Sequence, residues 1–381
     1  MKKKKVVLFG AALAAIAGLS CFSSALKNEL VSQNMAERWE SDETRYSQVS
    51  VFMQPGSELS GANDALKLRE YIDTKLKSES YTPVNEGAKV WIDAYSSCMS
   101  TANASVYDVE SGKTDFCSSD INIIGTGGEF FDFHPLELIS GNYIYSDELK
   151  NSRAVLDEEA AWIIFNSSDI VGMKFTVGGK EFEVAGVVKA EDSKAVKVAY
   201  PKSPVVYIHY DALEEAGLDT SLLCYESVIP NPVSNYAKNI FLEYYGIDTM
   251  NVQDDIQSAE EKISSVIVDN TNRYKASELF NNVKSFGKNQ VVSKPIAFPY
   301  WENSARVNEA WLTAVFFIIL LLAAYILITV IIFTAKLYLN RKWHLKDYIE
   351  KLTDKYTYKK KISDYIDVET NVNSEREKKY E

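Results

Sequence analysis

The chain has 381 residues, carries 41 Lys+Arg against 53 Asp+Glu for a net charge of −12, and is 46% hydrophobic with 23 Tyr and 17 Phe. That aromatic and aliphatic content excludes a disordered or low-complexity protein and suffices for a large folded core. The charge is unevenly placed: +4 on residues 1–26 and +3 on 336–381 leave −19 on 27–310. So acidic a region excludes nucleic acid or anionic headgroups as its partner, because phosphate binding needs a basic footprint, and its plain reading is solubility.

Residues 1–5 form a basic N-terminus, Lys2 to Lys5, ahead of an apolar stretch over 6–26. Two readings of Val6 to Leu26 stand open: a signal peptide cut after Ser23, Ser24 and Ala25, or a first membrane helix, since this length can span. Cys21 is a poor lipid-attachment site, because Gly18, Leu19 and Ser20 precede it in the wrong order. Ala25 to Glu40 reads as a helix rising from the membrane, with Leu26, Leu30, Val31 and Met35 at helical spacing. Gln48 to Phe52 alternates as a strand before Pro55 and Gly56, and Asp64 to Lys77 is an amphipathic helix with Leu68, Tyr71, Ile72 and Leu76 on one face. Lys89 to Ala94 and Ile121 to Ile124 read as further strands, and Gly125, Gly127 and Gly128 as a turn.

The middle of the chain is more explicit. Ala154 to Leu156 is a short strand. Asp157 then caps a helix, Glu158 to Phe165, whose acidic first turn suits the positive end of the helix dipole. Lys174 to Val177 and Lys180 to Val188 flank Gly178 and Gly179, a two-residue turn of the kind tight hairpins require. Phe182, Val184 and, after a break at Gly186, Val187 are expected to face inward. Pro204 to Tyr210 and Leu222 to Ile229 are strands, the second closed by Pro230 and Pro232. Val233 to Tyr245, Gln257 to Asn272 and Ala276 to Phe286 read as helices, and Pro295 to Asn303 as an irregular lead into the membrane. The pattern predicts an α+β ectodomain over 27–310, a mixed sheet with helices, with an inserted β-rich subdomain at about 140–230.

Trp311 to Ala335 is 25 residues without a charge and ends against Lys336. At about 1.5 Å per residue it spans roughly 37 Å, enough for a second membrane helix over 311–335, and it shows no polar face. Lys and Arg flank both apolar segments on the outer side: Lys2 to Lys5 before the first, and Lys336, Arg341, Lys342 and Lys346 after the second. This bias places both termini, including the charged tail 336–381, in the cytoplasm and residues 27–310 outside, at the plasma membrane.

Chemistry leaves few marks. His134, His209 and His344 lie far apart, and the chain has no HExxH, CxxC, GxSxG or GxxxxGK[ST] pattern, so no catalytic, cofactor-binding or metal residues are assigned. Asp157, Glu158 and Glu159 are accounted for by the helix dipole alone. His134 is the best candidate of a weak hydrolytic reading. Cys98 and Cys117 could close a short loop in an oxidising compartment, leaving Cys224 free.

Several stretches together resemble the extracytoplasmic core domain of MacB-type ABC transporter permeases. These are Gly127 to Ile144, Arg153 to Val188, Tyr225 to Val233, and Pro299 to Leu312 at the second membrane junction. Arg153 to Val188 is the most specific, through Val155, Leu156, Phe165, Asp169, Gly172, Val184, Gly186, Val187 and Val188. The resemblance covers most of residues 1–335. It implies an uncleaved first helix, a non-enzymatic role, and transmission of motion between the membrane helices and the ectodomain. Such permeases carry four membrane helices and this sequence shows two, so the resemblance implies a shortened, permease-like subunit working with an ABC ATPase and a fuller permease. The residues expected to couple or anchor are Trp301, Glu302 and Arg306 beside the ectodomain, and Lys336, Arg341, Lys342 and Trp343 at the cytoplasmic face. The alternative is a single-pass surface receptor or sensor released by signal cleavage at Ala25.

Overall fold

The computed structural model describes residues 3–39, 44–54, 62–83, 85, 88–108, 113–116, 120–148, 150–200, 204–246, 265–284 and 298–377. The chain opens with α1 (Lys3–Glu29), a 3-10 turn (Val31–Gln33), α2 (Met35–Trp39), β1 (Tyr46–Met53) and α3 (Ala62–Ser78). Six strands and a short helix follow: β2 (Ile92–Ser97), β3 (Ser100–Ala102), β4 (Ala104–Asp108), β5 (Lys113–Phe116), β6 (Ile121–Gly128), α4 (Phe130–Phe133) and β7 (Leu138–Gly141). Then come β8 (Arg153–Asp157), α5 (Glu158–Phe165), β9 (Lys174–Val177), β10 (Lys180–Val188), α6 (Lys194–Ala199), β11 (Val205–His209) and β12 (Leu222–Pro230). The chain continues through α7 (Tyr236–Tyr244), β13 (Ser265–Asp269) and α8 (Ala276–Lys284) to the long α9 (Tyr300–Glu377).

Two compact units are present. One holds Ser20–Phe317, and the other holds Met1–Leu19 with Ile318–Glu381. Within the first, one mixed sheet of thirteen strands runs β13-β1-β12-β2-β6-β11-β8-β10-β9-β4-β5, with β3 added to β6 and β7 to β10. Pairing is antiparallel except between β6 and β11 and between β8 and β10. The strands from 140–230 thus lie in the same sheet as β1 and β2.

Period-two alternation sends the side chains of each strand to two cores. On β1, Val49, Val51 and Met53 face a core covered by α3, α5 and α7, through Leu68 and Ile72, Ala160 and Ala161, and Ile240 and Phe241. Phe52, between them, faces the opposite core, which α2, α4 and the first turn of α9 close with Met35, Phe130, Phe131, Phe133 and Trp301. The break expected at Gly186 is real. The register of β10 against β8 shifts between Val184 and Gly186, so Phe182, Val184 and Val187 all face the first core while Ala185 and Val188 face the second. The hairpin turn has Gly178 at φ 57° and Gly179 at φ 86°, values that carry little penalty only for glycine.

Four sequence expectations need correction. Ser265–Asp269, placed in a helix over 257–272, is an edge strand paired with β1; residues 251–264 lie outside the described set. Gly125, Gly127 and Gly128 do not form a turn but complete β6, and Gly128 alone takes a positive φ, 65°, where a side chain would run into the Asp93 carbonyl. The helix expected over 25–40 is instead the end of α1, a break at Leu30 and the separate α2. Pro295 to Asn303 is not irregular throughout, since α9 starts at Tyr300; 285–297 lie outside the described residues.

Lys4–Glu29 and Tyr300–Leu339 are long and apolar enough to cross a membrane. In the second unit Leu321, Leu327, Ile328 and Ile331 of α9 are exposed, as suits a helix whose surroundings are lipid. The charged tail continues α9 as helix to Glu377.

Candidate coupling site at the start of the second span

Trp301, Glu302 and Arg306 sit on the first two turns of α9, where a helical repeat puts Glu302 and Arg306 one turn apart on one face. Glu302 is fully buried, at 0% exposure. Its charge is met from two sides. Arg273, in the turn between β13 and α8, donates from Nη1 to Oε2 at 2.7 Å and from Nη2 to Oε1 at 3.0 Å. Arg306 Nε also donates to Oε1 at 2.7 Å. Arg273 Nε donates further to Glu309 Oε2 at 2.8 Å, and Asn282 of α8 donates to the other Glu309 oxygen at 2.7 Å. Burial alone would lower the pKa of the Arg273 guanidinium, but Glu302, with Tyr274 and Glu309, holds it well above the ordinary arginine range. This group stays charged, so the cluster is a permanent ionic tie between α9 and the edge of the sheet.

The end of α1 joins the same cluster. Asn308 Nδ2 donates to the Leu26 carbonyl at 2.7 Å, and Tyr274 OH to the Ala305 carbonyl at 3.3 Å. Leu26 packs with Tyr274, Leu279 and Leu312, and Leu30 with Ala305 and Ala195. The end of α1 and the start of α9 therefore pack against each other, with Tyr274 and, from α8, Leu279 beside them.

Trp301 points the other way, into the α2/α4 side of the sheet. Its ring lies 4.5 Å from that of His134 and 5.7 Å from Phe130. His134 Nε2 is hydrogen-bonded to Glu226 of β12, and Ser50 Oγ of β1 donates to the second Glu226 oxygen at 3.0 Å. Asn270 donates in turn to Ser50 Oγ at 2.7 Å. Cys224, enclosed nearby, has its thiol pKa raised well above normal by burial and by Glu226 and Glu302, so it is an inert thiol. His134 is thus a satisfied core residue at 4% exposure.

The structure brings Glu302 and Arg306 together and turns Trp301 into the core on the α2/α4 side. Lys336 and Arg341 are exposed on α9 in the other unit, where Lys342 and Trp343 also lie, the side chains of those last two being outside the described set. Cys98 is a half-buried free thiol, pushed up to about 11 by burial, and Cys117 lies outside the described residues. Sequence reading missed Arg273, Glu309, Asn308 and Glu226. Their partners stand between 27 and 282 residues away, so spacing gave no signal. Among the described residues no group of His, Cys, Asp and Glu could hold a metal ion.

The periplasmic region of MacB from Actinobacillus actinomycetemcomitans is similar at 18% identity over 64% of this chain and 94% of that one, with a TM-score of 0.38. The extracellular domain of the noncanonic ABC-type transporter YknZ from Gram-positive bacteria is similar at 14% identity over 58% of this chain and 100% of that one, with a TM-score of 0.36. Among curated proteins none matches. The sequence pattern described as the MacB-like periplasmic core domain matches residues 12–259, well over half of the chain. The chain therefore belongs to the family of the MacB-like periplasmic core domain.

Proposed function

We propose that this chain, a transporter component by family, is a non-enzymatic, permease-like subunit of an ABC assembly that works beside an ABC ATPase and a fuller permease. Its two membrane helices pass movement to the extracytoplasmic domain. The observation that carries this reading is the shared anchoring of α1 and α9: the Leu26 carbonyl is held by Asn308, and Glu302 by Arg273. A shift of either helix acts on the edge strand β13 and on the sheet, because the ionic tie cannot stretch without exposing a buried charge.

Lys2 to Lys5 and the basic residues from Lys336 favour cytoplasmic termini and an outer face for 27–310. In that orientation Lys336, Arg341, Lys342 and Trp343 anchor α9 at the inner membrane face. The family match begins at residue 12, inside the first apolar segment, which supports an uncleaved first helix against the signal-cleaved receptor reading. Intact-mass analysis of the protein purified from membranes tests this: Met1 retained is the expected result, and a mature start at Leu26 refutes it.

A further inference from the structure

A cavity of about 140 Å³ opens beside the first turn of α9, between α6, the start of α5 and strand β11. Its wall is mainly apolar, from Leu136, Val196, Val205 and the rings of Tyr200, Tyr207 and Tyr300. Tyr300, the first residue of α9, meets Tyr207 hydroxyl to hydroxyl at 3.2 Å, so the cavity borders the coupling helix directly.

Acids outnumber bases around the cavity, with Asp157, Glu159, Glu191 and Asp192 against Lys189 and Lys197. Asp157, Glu159 and Glu191 line the cavity, and Asp157 is already occupied, accepting from the Ala160 and Val205 amides at 2.7 and 3.0 Å. Glu159 and Glu191 are not: no cation closes an ion pair with either among the described residues, and Glu159 Oε2 is shut off from solvent without a hydrogen-bond partner. Both lysines already have acid partners, Lys189 in Glu137 at 3.4 Å and Lys197 in Asp192, itself in the lining, at 3.7 Å. Burial raises the Glu191 carboxyl above the usual range, with His134 opposing and Asp192 adding, which is the behaviour of an acid short of a counter-ion. A buried acceptor without a partner costs free energy and calls for an explanation.

We propose that this cavity binds an organic cation, an ammonium carried on a single ring or short alkyl chain, with Glu159 and Glu191 as counter-charges and the tyrosines and valines around the apolar body. Size sets the limit. An apolar cavity of roughly 150 Å³ takes one benzene ring, whereas drug-sized ligands need roughly 300 Å³ or more, so the occupant is a small amine or the amine-bearing end of a larger molecule. The −19 charge on residues 27–310 enriches cations around the entrance. An aromatic cation also gains from the ring faces of the tyrosines.

The test is calorimetric titration of the full chain in detergent with benzylammonium, with neutral benzyl alcohol as its isostere. Saturable binding of benzylammonium, at least about tenfold tighter than benzyl alcohol, is expected. Glu159→Gln and Glu191→Gln should each weaken it about tenfold, and Glu181→Gln, on the exposed hairpin, should not change it. Val196→Phe, which fills the cavity and keeps every carboxylate, should abolish it, and it decides the matter if the glutamine variants fail to fold. Equal affinity for the alcohol, absence of saturable amine binding, or unchanged binding in Val196→Phe overturns the proposal. The measurement needs no ATPase or second permease, so its failure leaves the assembly reading untouched.

Discussion

Arg273 and Glu302 form a two-pronged ion pair with both side chains buried, at 7% and 0% exposure, and it links the turn after β13 to the first turn of α9. Removing one member strands the other charge out of water. Arg273→Met should therefore destabilise the ectodomain by about 3–5 kcal/mol. Replacing both, as Arg273→Met with Glu302→Leu, should recover most of that loss. Urea unfolding of the purified single and double variants, Glu302→Leu included, followed by tryptophan fluorescence, checks the cycle; a double-variant loss equal to the sum of the two single losses would show that the pair is not coupled.

Trp301 is 2% exposed and fills the space between His134, Phe130 and Tyr300. Trp301→Ala should cost about 3–5 kcal/mol, the range for large-to-alanine changes in packed cores. Trp301→Phe should cost clearly less. The same unfolding curves, read by circular dichroism, separate the two.

Asn308 ties the end of α1 to α9 through the Leu26 carbonyl. Asn308→Ala leaves that buried acceptor bare and should cost about 1–3 kcal/mol. Asn308→Asp should cost at least as much, since a carboxylate cannot donate to a carbonyl. Hydrogen exchange of the amides around Leu30 should quicken in both variants while the β1 amides keep their protection.

Asp157 gives a pH dependence with a definite sign. Burial pushes its carboxyl from 3.8 to about 7, against the two amides that hydrogen-bond to it and with Glu159 and Glu158 adding to the rise. The folded state keeps the proton longer than the unfolded chain, so this group's contribution is fully present below pH 4 and is lost as pH rises to about 7. The loss amounts to at most about 4 kcal/mol, at about 1.4 kcal/mol per unit. In Asp157→Asn the slope of stability against pH between 4 and 7 should be shallower than in the parent chain, measured by urea midpoints at several pH values.

What the sequence disclosed was local. Asp157 as a cap, the Gly178 and Gly179 turn and the slip at Gly186 each depend on residues within a few positions, and all three stand in the structure. Strand β13 was hidden because a short apolar run such as Ser265–Asp269 suits either period, and pairing with β1 across more than 200 residues decides it. The glycines of β6 looked like a turn. They serve instead to admit neighbours, because a Cβ at Gly125 would strike Leu213 and one at Gly127 would strike Tyr95. Trp301, Glu302 and Arg306 were singled out by their nearness to an apolar span, but Arg273, which pairs with Glu302, reaches it only through the sheet topology.

Whether this chain acts within an ABC assembly can be read from native purification. The tagged full chain, extracted from its own membranes in mild detergent and analysed by quantitative mass spectrometry, should retain an ABC ATPase and a second permease in fixed stoichiometric ratio. Recovery of the intact chain with neither protein would contradict the account.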